Sequence, residues 1–134
     1  MSSLARVYVE PQKLREVWDY VRYGLLQVKE ASSEPWIPED IYCDCFSGRS
    51  MLWMMVEDGK PVGFGVLQPV GNTLHIWAGY GRFLMDDGFA HAKEIAKQGG
   101  ASRITFESNR PGWAKMADKH GFKPCKWVCE VKDG

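Results

Sequence analysis

The chain has 134 residues, of which 45% are hydrophobic, so residues 1–134 read as a single domain large enough to bury a core. Seventeen Lys and Arg balance seventeen Asp and Glu. That balance leaves no basic footprint for nucleic acid or an anionic membrane, and no run is apolar enough to span a bilayer.

Leu4–Glu10 is a short first strand with Val7 and Val9 on one face. Pro11 opens a helix over Pro11–Glu30, with Leu14, Val17, Trp18, Val21, Leu25 and Val28 as its apolar stripe. Gly24 interrupts that stripe at a cost of about 1 kcal/mol relative to Ala, unless something packs there. A loop, Ala31–Pro38, carries Trp36. Pro38, Glu39 and Asp40 then start a second helix, with proline at its first position and acids at the positive end of its dipole. It ends near Ser47-Gly48.

A meander follows. Ser50–Glu57 is an apolar strand, Asp58-Gly59 a hairpin turn, and Pro61–Pro69 the return strand. Gly63 and Gly65 admit a close approach by another backbone or a ligand. After Gly71-Asn72, Thr73–Gly79 is the fourth strand. Arg82–Gln98 is a helix with Phe83 or Leu84, Gly88, His91 or Ala92, and Ile95 on its buried side, stopped by Gly99-Gly100. Ala101–Glu107 is a fifth strand, Gly112–His120 a helix, and Phe122–Val131 a sixth strand. The order is βααβββαβαβ: a mixed, mostly antiparallel sheet of about six strands with helices on both faces, in the α/β (α+β) class. The helix between the fourth and fifth strands makes them a right-handed, parallel crossover pair.

The four cysteines form no CxxC spacing, which leaves them as reduced, structural thiols and places the protein in the cytoplasm. MSSLARVYVEPQK lacks the apolar core of a signal peptide. The three histidines make no metal-ligand pattern, and no nucleophile elbow supports Ser-His-Asp chemistry. His75 on the fourth strand and Glu107 at the end of the fifth are candidate bases; each also reads as an ordinary strand residue. His91 and His120 read as helix-surface or capping residues. Trp18, Trp53, Trp77 and Trp113 fall at core spacings. Trp36 and Tyr80 stand in loop-like settings, where they line a site or plug the core.

Ala101–Phe122, ASRITFESNRPGWAKMADKHGF, reads as strand, Asn/Pro-bearing turn, helix and Gly-Phe. That unit resembles the C-terminal motif of the GNAT superfamily of N-acetyltransferases. The match covers roughly Ala101–Val131, and the rest agrees in element order. The resemblance implies that the fourth and fifth strands splay apart and that acetyl-CoA lies in the wedge. The backbone of Ile76, Trp77 and Ala78 then holds the pantetheine arm, and His75 or Glu107 handles the proton. Asn109 joins the cofactor contacts from the Asn/Pro turn.

The family's Gln/Arg-x-x-Gly-x-Gly/Ala pyrophosphate loop is not matched. Gly79, Gly81 and Arg82 stand in its place as a shorter substitute; the alternative is a tight strand-to-helix turn needing positive φ. Asp86 and Asp87 would repel a pyrophosphate unless they face away. Ala117 stands where many members carry a Tyr acid. Two functions follow. One is acetyl transfer from acetyl-CoA to an amine on a small molecule or protein. The other is a non-catalytic module of the kind found in short phage-encoded GNAT-like proteins, acting in a virion, on a host factor or as a homo-oligomer.

Overall fold

The computed structural model describes residues 4–30, 35–81, 87–107, 113–124, 129 and 131. Its sheet has strand order β1-β2-β3-β4-β5, with β1 Leu4–Val9, β2 Met51–Glu57, β3 Lys60–Val70, β4 Thr73–Gly81 and β5 Arg103–Phe106. β2, β3 and β4 pair antiparallel in sequence, as a meander with tight turns must, and β1 pairs antiparallel with β2 across the helical connection between them. β5 pairs parallel with β4, as a helical crossover requires. Half of the expected sixth strand, Phe122–Val131, lies outside the described residues; Phe122–Pro124, Cys129 and Val131 are described and are not in a strand.

A 3-10 turn, Pro11–Lys13, leads into α1, Leu14–Glu30, and α2 spans Pro38–Phe46. Both cover one face of the sheet, where Leu14, Val21, Leu25 and Ile41 pack on Leu52, Met54, Phe64, Val66 and Ala78. A Cβ on Gly24 would sit 2.5 Å from the Phe64 ring and 2.9 Å from Tyr80. The glycine in the apolar stripe therefore lets the helix press close against these two sheet side chains. Trp36 is buried in the same core and plugs it rather than lining a site. Lys29 donates to its carbonyl and lies 5.4 Å over its ring. At the start of α2, Asp40 accepts from the Ile37 N–H at 2.9 Å, closing the expected acidic N-terminus.

α3, Phe89–Gln98, covers the opposite face, where Ala92, Ala96 and Ile95 pack on Leu67, Leu74, Ile76 and Ile104. Its α-helical part starts later than the expected Arg82, and residues 82–86 lie outside the described set. Phe89, His91, Ala92 and Ala96 form its buried side, with Gly88 and Ile95 half-buried. His91 is thus not a surface residue: at 7% exposure it packs edge-on against Trp53, ring centres 4.6 Å apart.

α4, Trp113–Lys119, ends as its sequence dictates. Gly121, with φ +84°, donates its N–H to Asp118 O, and the Phe122 N–H reaches Ala117 O at 2.9 Å, a Schellman cap. Phe122 then stacks against Phe89 and Phe106 at centre distances of 4.9 and 4.8 Å.

Candidate functional site

β4 changes character halfway along. From Thr73 to Ile76 it has partners on both edges: β3 on one side and, through Thr73↔Arg103 to Ile76↔Phe106, β5 on the other. From Trp77 to Gly81 it keeps only β3 among the described residues. Among the described residues β5 ends at Phe106, its partner being Ile76, while β4 runs on by five residues. Among the described residues no strand pairs with that edge of Trp77–Gly81, a row of backbone N–H and C=O groups of the kind an extended chain can join.

The change in pairing coincides with a β-bulge. Val66 opposes Ala78 and Leu67 opposes Ile76, so Trp77 is an extra residue on β4. Leu74 and Ile76 face α3, whereas Trp77 and Ala78 both belong to the core beneath α1 and α2. Strict alternation would put Trp77 and Ala78 on opposite faces; the bulge puts them on the same one.

Beyond the bulge the strand outruns its expected end at Gly79. Gly79 pairs with Gly65, Tyr80 with Phe64 and Gly81 with Gly63. Gly79 and Gly81 are therefore strand residues, not the turn expected of them. The reason is steric: a Cβ on Gly81 would lie 2.4 Å from Val62 O, and one on Gly63 would lie 2.3 Å from Tyr80 O. Paired glycines let the two backbones approach. Gly81 also has φ +118°, the positive φ that the turn alternative required. Tyr80 is consequently in the sheet rather than a loop, its ring 5.6 Å from Phe64 and 6.3 Å from Tyr20. Burial, helped by the Tyr80 phenol, pushes the Tyr20 phenol up from its ordinary pKa.

A polar row crosses the sheet just before the bulge. Gln68 on β3, His75 on β4 and Thr105 on β5 are register partners on the face covered by α1 and α2. His75 Nδ1 and Thr105 Oγ1 are 2.8 Å apart. Gln68 Nε2 donates to Asp44 Oδ2 at 3.3 Å, and the same carboxylate accepts from Ser50 and, at 3.0 Å, from Arg49. α2 is thereby tied to the row's outer end. Glu107 is exposed, one residue past the end of β5. Arg82 and Asn109 lie outside the described residues. Of the expected site residues, β4 carries His75, Ile76, Trp77, Ala78, Gly79 and Gly81, the last four of these lying beyond its described pairing with β5.

Asp87 is turned toward β1, and Asp86 lies outside the described residues. Its carboxylate lies 3.7 Å from Arg6 on β1, whose guanidinium also lies 3.7 Å from Glu94. The cation opposes the negative charge expected to repel a pyrophosphate. Neither Thr105 nor Arg6 stood out in sequence: Thr105 reads as a strand former, and Arg6 is about eighty residues of chain away from Asp87. Among the described residues no three His, Cys, Asp or Glu side chains are grouped to hold a metal ion, and no helix is long and apolar enough to cross a membrane.

No family model matches the chain, and no curated protein matches its sequence. Solved structures do match. An aminoglycoside N-acetyltransferase in complex with CoA superposes with a TM-score of 0.65 at 11% identity, over 99% of this chain and 95% of that one. A protein from Clostridium acetobutylicum described as a predicted acetyltransferase, solved with acetyl-CoA, gives 0.66 at 12% identity, covering 98% and 96%. A ribosomal-protein-alanine N-acetyltransferase from Brucella melitensis biovar Abortus 2308 gives 0.64 at 11% identity and covers both chains fully. At such identities the likeness is one of fold: this chain has the GNAT N-acetyltransferase fold.

Proposed function

We propose that the protein is an N-acetyltransferase that uses acetyl-CoA to acylate an amine. The observation that carries this reading is the half-paired strand: among the described residues β4 has no partner on one edge from Trp77 to Gly81, at a bulge and beside a histidine. The residues present fit the donor. An amide-bearing pantetheine arm matches a free strand edge, and the one described acid near the start of α3 is turned onto Arg6.

In this reading Ile76, Trp77 and Ala78 hold the arm by their backbone. Gly79, Gly81 and Arg82 meet the diphosphate, and Asn109 adds a further contact to the cofactor. Bound acetyl-CoA supplies an activated acyl group on a thiolate leaving group. His75 removes a proton from the acceptor ammonium, which frees the nitrogen lone pair to attack the carbonyl carbon; the C–S bond breaks and the nitrogen's second proton passes to the departing thiolate. Glu107, exposed just past the end of β5, relays the proton taken by His75 to solvent. Ala117 supplies no acid, and none is demanded, because a thiolate leaves readily.

The supporting neighbours include structures holding CoA or acetyl-CoA, and one acts on aminoglycosides, so a small-molecule amine is the favoured acceptor. The test is thiol release from acetyl-CoA across a panel of aminoglycosides, polyamines and amino-acid amines. His75→Gln is expected to lower kcat by about 100-fold, within the range a positioned base supplies. A variant as fast as wild type would remove His75 from the mechanism. No turnover with any amine, together with no acetyl-CoA binding, would favour the non-catalytic phage-type module.

A further inference from the structure

We propose that Thr105 is a positioning residue which fixes the tautomer of His75. The proposal rests on the acetyltransferase reading for its catalytic meaning, but its structural content stands apart from it. The two side chains come from strands thirty residues apart and meet in parallel register, His75↔Thr105, with Nδ1 and Oγ1 2.8 Å apart. Both point away from α3, since their neighbours Leu74, Ile76 and Ile104 pack in the α3 core. The pair lies one rung before the last β4–β5 pairing and two residues before the bulge at Trp77. A β-branched residue in a strand has restricted χ1, so Thr105 holds its hydroxyl where the register puts it.

A neutral imidazole carries one N–H, and the hydrogen bond made by one ring nitrogen decides the state of the other. In the proposed arrangement Nδ1–H donates to Thr105 Oγ1 across the 2.8 Å contact, and the basic lone pair is on Nε2. That is the atom which takes the acceptor's proton. An isolated neutral histidine prefers the opposite tautomer, with the proton on Nε2 and no lone pair there to accept one. Thr105 therefore selects the productive form without touching substrate. The row reaches further: Gln68, the other register partner of His75, is held by Asp44. That hold keeps the β3 side of the histidine ordered.

The test has two independent readouts. Nitrogen-15 correlation spectra of the imidazoles, at a pH where the ring is neutral, are expected to show His75 as the Nδ1–H tautomer in the wild type. Thr105→Val keeps the β-branched shape but removes the hydroxyl, and is expected to shift the ring to Nε2–H. Thr105→Ser retains the wild-type tautomer. In the thiol-release assay Thr105→Val is expected to lower kcat by about tenfold or more, part of the acid–base contribution, with the KM for acetyl-CoA within about twofold. Thr105→Ser restores most of that loss. A wild-type His75 in the Nε2–H form overturns the proposal, as does a ring whose tautomer ignores Thr105→Val. A fall in kcat with no change of tautomer also overturns it, by making the effect one of packing. If the tautomer behaves as stated and no amine is turned over, the acetyltransferase reading fails while the positioning of His75 by Thr105 stands.

Discussion

The two halves of β4 are built in different ways. Thr73–Ile76 is held laterally, by hydrogen-bonded strands on both edges, and it contributes Leu74 and Ile76 to the α3 core. Trp77–Gly81 has one lateral partner among the described residues and is held from below instead. The Phe64 and Tyr80 rings fill the hollow that Gly24 leaves in α1, and Tyr20 stacks edge-on against both. A strand edge left unpaired for a ligand would ordinarily be an aggregation hazard or a floppy flap. Packing from beneath keeps it in place, so rigidity comes from side chains where the ladder stops. The Trp77 bulge is the switch between the two regimes, because it turns both Trp77 and Ala78 toward the supporting core.

If packing from beneath holds the second half, its keystone is Phe64, which is fully buried. Phe64→Ala is expected to cost about 3–5 kcal/mol in chemical denaturation, the range for deleting a buried aromatic. A loss below about 1 kcal/mol would mean that the unpaired half does not depend on this core. Gly81→Val sharpens the comparison from the backbone side. Its new Cβ meets Val62 O at 2.4 Å and its φ is +118°, so a destabilisation of about 1–3 kcal/mol is expected in the same measurement. No change would show that the close β3–β4 approach is not needed.

The smallest effect concerns the latch that ties the start of α3 to β1. His91 lies beside Arg6 and Glu94, with Asp87 on the same arginine. Burial first, and then the Arg6 charge, lower its pKa from the ordinary 6.5, partly offset by Glu94. The unfolded chain therefore binds the proton more readily than the folded one. Stability is full above pH 6.5 and declines as the pH falls from there through the folded-state value. Melting temperatures between about pH 7.5 and 5 are expected to fall more steeply for wild type than for His91→Gln. Parallel curves would remove His91 from the pH dependence.

Much of this was legible in the sequence, for local reasons. Hairpin turns, the proline-and-acid start of α2, the Gly121-Phe122 cap and the significance of Gly24 all rest on residues within a few positions of each other. The parallel β4–β5 pairing was legible because the intervening helix forces it. What escaped depends on pairing across distant segments. Alternation cannot reveal an inserted Trp77, because the bulge exists only relative to β3. The extension of β4 to Gly81 depends on glycines in another strand. His91 reads as exposed until Trp53 and Arg6 are brought over it, and a crossover helix fixes the direction of β5 without fixing the register that pairs His75 with Thr105.

The central claim is that the Trp77–Gly81 edge of β4 is a donor-binding edge, and titration of the intact protein with acetyl-CoA by calorimetry tests it most directly. Saturable binding is expected, accompanied by stabilisation of about 2.7 kcal/mol when the ligand is at a hundred times its dissociation constant. Arg82→Glu, which reverses the charge expected at the diphosphate, should weaken that binding by at least about tenfold, the equivalent of 1.4 kcal/mol. No heat with the wild type at about millimolar acetyl-CoA, where even a 1 mM complex would register, would contradict the account.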